Sequence, residues 1–336
     1  MKTIKSRNTV PKFIYMYACH ETEQELCNME LESLLGVGIG ISKDSSKENS
    51  RSYIFSDINL EDNRSPFISA KMEILYETSS LEELLNVIQT LELAEHQTFK
   101  VHYLKQGEVK EYDQRRNIER RLGAVIQGKA SMKSPDILFG VLSASEPERW
   151  YFGKCVEATS PWLTHKHKPQ NYSTGLSTVV ARALVNIAAP RIEGVRVIDP
   201  CCGMGNVVIE GLSMGMNIVG RDINPLAIRG ARTNLYHFGY GDSLIVELGD
   251  LRDITAKYDA AIVDMPYNLC SVMSIETRQQ MLKAVFRFSD RTVIVSSEQL
   301  ELDIVQAGGH IQKKCTVRKG SFVRSVWLCC DPMARM

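Results

Sequence analysis

The chain has 336 residues, 44% apolar and 24% charged, which is enough for packed cores and long enough to suggest two domains. Its 40 Lys and Arg balance 40 Asp and Glu, so no global field draws it to nucleic acid, and any such contact must come from a local patch. No apolar run reaches the roughly 18 residues that cross a bilayer, and MKTIKSRNTVPK has no apolar segment that would read as a secretory leader, so a cytoplasmic protein without membrane contact is expected.

In chain order, FIYMYAC (13–19) reads as a strand, and residues 21–35, with Leu26, Met29 and Leu34 on one side, as a helix stopping at Gly36. SYIF (52–55) and SAKMEILYE (69–77) follow as strands. LEELLNVIQTLEL (81–93) is a helix with Ser79 and Ser80 at its start, and FKVHYL (99–104) closes the set as a strand. The β-α-β-β-α-β order predicts a ferredoxin-like domain, with the polar stretch GISKDSSKENS (40–50) as a loop. A helix from about Asn117 to Gln127 and strands at 136–142 and 149–158 come next. SPWLTHKHKPQNYSTGL (160–176) has two prolines and little periodicity. The expected division is a module at 1–157, a linker at 158–176 and a second domain at 177–336, where β-α units alternate and argue for a parallel sheet. Two strands around Lys319-Gly320 form its closing hairpin. The overall expectation is an α/β chain with an α+β amino-terminal module.

Nine cysteines, an odd number with no C-x-x-C, read as reduced thiols. His165 and His167 have no nearby Cys or carboxylate to complete a zinc set, so no metal site is expected.

Residues 195–225 carry the clearest chemistry. The strand VRVI runs into Asp199-Pro-Cys-Cys-Gly203-Met-Gly205 and a helix, and the next strand ends on Asp222. Gly203 and Gly205 let the backbone turn sharply beside a ligand. Val208 stands where a G-x-G-x-x-G fingerprint needs its third glycine, which argues against a pyrophosphate. Asp222 can accept two ribose hydroxyls, Asp250 can reach an adenine amine, and Asp199 favours a ligand with positive charge. S-adenosylmethionine offers a diol, an adenine, a sulfonium and an ammonium, and is the expected cofactor. Cys201, Ile223 and Leu251 adjoin these residues and complete the expected cofactor set.

Asp264-Met265-Pro266-Tyr267 follows the apolar strand AAIV. An exocyclic base amine is a poor nucleophile because its lone pair is delocalised into the ring. The Asp264 carboxylate and the Met265 carbonyl can each accept one amine hydrogen and turn that lone pair toward a methyl donor. Pro266 stiffens the turn, and Tyr267 can stack on an extruded base. Arg115, Arg116, Arg120, Arg121, Lys129 and Lys133 crowd the stretch 115–133, and Lys154 can join them from a neighbouring strand. Such a patch can contact phosphates, although helix faces also carry charge simply for solubility.

These motifs resemble the tRNA guanosine-10 N2-methyltransferases, which join an amino-terminal THUMP RNA-binding module to a Rossmann-like methyltransferase domain. DPCCGMG (199–205) resembles the family's first motif and DMPY (264–267) its D-P-P-Y, while NYSTGLSTVVARALVNIA (171–188) resembles the lead-in to its methyltransferase domain. RRLGAVIQGK and SPDILFGVL, within 120–142, resemble the second half of a THUMP domain. The resemblance implies methylation of a guanine N2, with tRNA as the partner RNA. It places catalysis on Asp264 and its neighbours, donor contacts on Asp199, Gly203, Gly205, Asp222 and Asp250, and RNA contacts on Arg116, Arg120, Arg121, Lys129 and Lys154. Some relatives need a small activating protein. Met265 replaces the family's first proline and is expected to loosen the turn. Ribosomal RNA guanine-N2 or DNA amino-methylation, and a non-catalytic RNA-binding subunit, stay open as alternatives.

Overall fold

The computed structural model describes residues 12–36, 52–105, 111–145, 148–172, 175–241, 244–266, 273–319 and 322–330. They divide into two compact units, the first from residues up to 19 and from 35–159, the second from 20–34 and from 160 onward. The predicted loop at 40–50 lies outside the described residues.

Each unit is built on one seven-stranded sheet. In chain order the first elements are β1 (Phe13–Tyr17), α1 (Gln24–Leu35), β2 (Ser52–Ser56), β3 (Ile68–Thr78), α2 (Leu81–Ile88) and β4 (Thr98–Tyr103). Then come α3 (Tyr112–Val125), β5 (Lys129–Ala130), β6 (Ile137–Ser145) and β7 (Glu148–Glu157). The alternation of β4 buries Phe99, Val101 and Tyr103 in one cluster with Leu84 and Ile88 of α2 and Ile118 and Leu122 of α3. Ser80 starts α2 by accepting the Glu83 N–H at 3.1 Å, and the Glu83 carboxylate returns to the Ser79 N–H at 2.9 Å. This helix ends at Ile88, short of the expected residue 93, while α3 starts earlier than expected, where Gln114 accepts the Glu111 N–H.

The pairing corrects the ferredoxin-like expectation. The chain order is as read, but the sheet order is β2-β1-β3-β7-β6-β4-β5, and β4 runs parallel to β6 rather than returning beside β1. β1 and β2 pair antiparallel, so α1 is no crossover between them. The apolar side of α1 is buried instead in the second unit, where the Met29 sulfur meets Cys315 at 3.9 Å and Glu25 accepts the Thr316 N–H at 2.7 Å. Gly153 marks the tightest strand crossing of the first sheet: a Cβ there would stand 1.8 Å from the Glu73 carbonyl oxygen.

The stretch expected as a linker is folded onto the second unit. Pro161–His167 is a 3-10 helix with Trp162 and His165 buried, and it leads to α4 (Thr178–Ala188). The sheet then builds as β8 (Arg196–Asp199), α5 (Asn206–Ser213), β9 (Asn217–Asp222), α6 (Pro225–His237), β10 (Val246–Leu248) and β11 (Tyr258–Asp264). It finishes with α7 (Ile275–Phe288), β12 (Ser289–Ser296), α8 (Glu301–Gln306), β13 (Ile311–Lys319) and β14 (Phe322–Cys330). Strand order is β10-β9-β8-β11-β12-β14-β13, parallel up to β12, with β14 antiparallel to it and β13 to β14, as the expected hairpin requires. Ala261, Ile262, Val263, Val293 and Ile294 are fully buried in the centre, the run of apolar residues that a sheet covered on both faces demands. The chain winds one way from β8 to β9 and the other way to β11, so the topological switch point lies at the carboxyl ends of β8 and β11.

Candidate active site

Three predicted carboxylates converge on that switch point. Asp199 ends β8, Asp222 ends β9 and Asp264 ends β11, and all three line one cavity of about 310 Å³ together with Gly203 and Pro266. A second cavity of about 520 Å³ adjoins it, lined by Gly249, Asp250, Leu251, Arg252 and Thr277. Cys201, Asp222, Ile223 and Pro266 line both, so they form the boundary of one divided cleft.

The glycine turn is fixed from several sides. Gly203 and Gly205 have φ of 51° and 81°, the left-handed region that glycine enters without a Cβ penalty. Gly205 caps α5 and is not among the residues that line either cavity. The two Asp222 carboxylate oxygens accept the Gly203 N–H and the Asn224 N–H, each at 2.8 Å. This carboxylate therefore ties the turn to β9 before any ligand arrives, and each oxygen retains lone-pair capacity. The Asn234 side chain donates to the Met204 carbonyl at 2.9 Å and accepts the Gln170 N–H at 2.8 Å, pinning the chain before α4 to the same turn.

The electrostatics are those of an acidic, poorly solvated pocket. Asp199 is 3% exposed, and burial pushes its carboxyl well above the usual range. A bond from the Cys201 N–H at 3.3 Å acts the other way, while Asp264 and Asp222 raise it further. The same burial pushes the Cys201 and Cys202 thiols up, which favours their protonated form. Asp250 behaves differently. The Arg252 side chain donates to both of its oxygens, at 2.5–3.0 Å, and holds its carboxyl below the usual range.

The expectation that Met265 loosens its turn is overturned. Met265 is 2% exposed within the apolar cluster that includes Leu282, Val285 and Phe288. Its N–H donates to the Val295 carbonyl at 2.9 Å, one residue beyond the β11–β12 ladder. A proline could not make that bond, so methionine gives the turn a backbone tie to β12 that a proline would lack. Tyr267 lies outside the described residues.

The basic stretch is only partly assembled. Arg116 donates to Glu119 at 2.9 Å and to the Tyr112 hydroxyl, and Arg121 pairs with Glu82 at 2.5 Å. Arg120, Lys129 and Lys154 are exposed. Lys129 pairs with Thr98 on β4, and Lys154 with Phe139 on β6. Three inter-strand steps therefore part these two across the sheet, roughly 14 Å at 4.7–4.9 Å per step.

His165 is held in a buried polar cluster. Its Nδ1 meets Glu210 at 2.7 Å, the other Glu210 oxygen accepts from Arg182 at 2.9 Å, and all three groups are buried. Among the described residues no group of three or more His, Cys, Asp or Glu is placed to hold a metal ion, and no helix is long and apolar enough to cross a membrane. The eight described cysteines are free thiols. Sequence reasoning missed Arg252, which sits two positions after Asp250 and donates to both of its carboxylate oxygens. It also missed Tyr172, 44% exposed at the rim of the smaller cavity.

A doubly wound parallel sheet with an acidic cleft at its switch point, closed by an antiparallel hairpin, makes this a Rossmann-like α/β unit. Residues 165–315 match the family model UPF0020, described as RMKL-like, methyltransferase domain. The chain is 28% identical over 178 residues to a tRNA (guanine(10)-N2)-dimethyltransferase of Methanothermobacter thermautotrophicus, covering 50% of this chain and 52% of that protein. It is 26% identical over 214 residues to the protein of the same name from Methanocaldococcus jannaschii, covering 57% and 59%. The chain thus spans little more than half the length of these relatives. The solved structure of SMU.472 complexed with SAH shares the fold, with a TM-score of 0.51 at 14% identity over 97% of this chain and all of that one. These matches bear out the resemblance carried by DPCCGMG and DMPY.

Proposed function

We propose that the second unit binds S-adenosylmethionine and that the protein transfers a methyl group to the N2 amine of a guanosine in RNA, with tRNA, at the position named for the relatives, as substrate. One observation carries the reading: Asp264 and Pro266 share a cavity wall with Asp199, Gly203 and Asp222, so a base-holding turn and a cofactor-holding turn open on the same space. The donor set fits a cationic nucleoside, since three carboxylates face the smaller cavity and burial disfavours ionised Asp199 unless a positive charge compensates it. When bound, S-adenosylmethionine would supply an electrophilic methyl group on a sulfonium.

In this reading the protein does the positioning. Asp222, already fixed by two backbone N–H groups, accepts the ribose hydroxyls, while Ile223 and Leu251 give the adenine apolar walls beside Asp250. Asp264 accepts one amine hydrogen and the Met265 carbonyl the other, which points the nitrogen lone pair at the methyl group. The tight hold on Met265 keeps that acceptor pair from drifting. The first unit supplies phosphate contacts through Arg120, Lys129 and Lys154, with Arg116 and Arg121 released from their acidic partners when RNA competes for them. Incubating the protein with labelled donor and bulk tRNA, then analysing nucleosides by mass spectrometry, should yield N2-methylguanosine. Label confined to adenosine or cytidine would overturn the assignment of base, and label found only in a parallel incubation with ribosomal RNA would overturn the assignment of RNA.

A further inference from the structure

Pro266 borders a third recess besides the two cavities of the cleft, on the side facing β12, and Met265, Arg278, Ser296 and Glu298 line it with it. The recess holds about 10 Å³, room for no more than about one water, so a base edge would meet its mouth rather than enter it. Its placement follows from the sheet: Asp264 is in register with Val295, so Ser296 and Glu298 leave β12 alongside the turn that carries Asp264 and Pro266.

Glu298 is aimed by its surroundings. Its N–H donates to the Ser296 hydroxyl oxygen at 3.0 Å, which bends the chain back at the strand end. Its Oε2 accepts from Arg278 Nη1 at 2.7 Å, and Arg278 Nη2 reaches Asp303 at 3.2 Å. One guanidinium thus serves two carboxylates. Asp303 is 14% exposed and Glu298 41%, so Glu298 is the carboxylate presented to solvent.

We propose that Glu298 selects guanine by accepting its N1–H while Asp264 holds the neighbouring N2 amine. The inference rests on the guanine-N2 reading above and deepens it. Guanine presents two adjacent donors on that edge, N1–H and N2–H. Neighbouring strands stand about 4.8 Å apart, which suits two acceptors, one from each strand end, to one such edge. Adenine carries no hydrogen on N1 and would set a lone pair against the Glu298 carboxylate. Arg278 is a positioning residue, since it orients Glu298 without itself meeting the base.

The test compares RNA substrates carrying guanosine or 2-aminopurine at the methylated nucleotide. Both have the 2-amine, but only guanosine has N1–H. The wild type should prefer guanosine in kcat/KM. Glu298→Ala should lower kcat/KM on guanosine RNA by about 10- to 100-fold, the range for one charged hydrogen bond, and leave 2-aminopurine RNA nearly unchanged, so the preference collapses. Calorimetric donor affinity equal to wild type would show that the variant is folded. Equal losses on both substrates would mean that the ion pair only supports the fold, and an unaltered preference would mean that Glu298 does not meet the base. Either result overturns this inference while leaving guanine-N2 methylation standing. If the wild type methylates no guanosine RNA, the underlying reading falls instead.

Discussion

The two sheets have the same number of strands but place their chemistry differently. In the second, the first five strands are parallel, so every carboxyl end faces one side and Asp199, Asp222 and Asp264 meet although the chain separates them widely. In the first, antiparallel pairs dominate and strand ends alternate, so the charges of interest fall on α3, on the short edge strand β5 and on β7. A parallel sheet converts strand-end residues into a site by topology alone. A mixed sheet does not, and its surface charges must find one another through side-chain reach.

The largest effect expected from this contrast is at Asp264. Asp264→Ala should lower the single-turnover methyl-transfer rate by about 10²–10³, the loss typical of one preorganised acceptor or donor. Donor affinity should stay near wild type, because Asp222 and the glycine turn are untouched. A near-normal rate would mean that the convergence at the switch point is architectural.

That convergence also explains what was legible in the sequence. Asp199, Asp222 and Asp264 could be read because each ends a strand-like run, Gly203 because a glycine turn follows one, and the alternation of strands and helices already implied a parallel sheet. The first sheet was legible as elements but not as pairing. Nothing local to residues 21–35 says that α1 packs in the second unit, because an apolar helix face fits any complementary surface. The same ambiguity made Pro161–His167 read as linker: burial of Trp162, and of His165 against Glu210, depends on a partner far along the chain. Met265 was misread because a loss of proline suggests a looser turn, whereas its N–H gains a partner that only the β12 register reveals.

Met265→Pro sharpens this point. It should destabilise the second unit by about 1–3 kcal/mol, since the Val295 carbonyl loses its donor and a buried side chain is replaced. Thermal unfolding would measure it. Equal or higher stability would show that the proline form of the turn is accommodated here after all.

The acidic cleft makes a pH prediction. Burial raises the folded-state pKa of Asp199, so with no ligand the folded chain holds this proton more tightly than the unfolded one. Asp199 therefore favours the fold most at low pH, and that contribution is lost as pH rises from the ordinary carboxylate value through the raised one. A cationic donor stabilises the ionised form, so its binding releases a proton. Affinity should climb with pH, by at most about tenfold per unit, until the raised pKa is passed. Calorimetry in buffers of different ionisation enthalpy should detect the released proton, and Asp199→Asn should abolish both it and the slope. An unchanged slope in that variant would assign the proton elsewhere.

The smallest effect is expected from the first sheet. Arg120→Glu reverses an exposed charge for which no ion pair appears among the described residues. If Arg120 meets a phosphate, RNA affinity should fall and the slope of log affinity against log salt should flatten by about 0.7–0.9, the value for one contact. Donor affinity should not move, because the described residues that line the cleft all belong to the second unit. Arg121→Glu is the informative partner. Arg121 is held by Glu82, so its reversal also sets two like charges side by side on α2 and α3. Should Arg121→Glu weaken RNA binding more than Arg120→Glu does, with no loss of thermal stability, the ion-paired arginine would be the better phosphate ligand. The exposed one would then be only a solvated helix face. Equal RNA affinity and equal salt slope in both variants would remove α3 from the RNA surface, leaving Lys129 and Lys154, on separate strands, as the residues to test next.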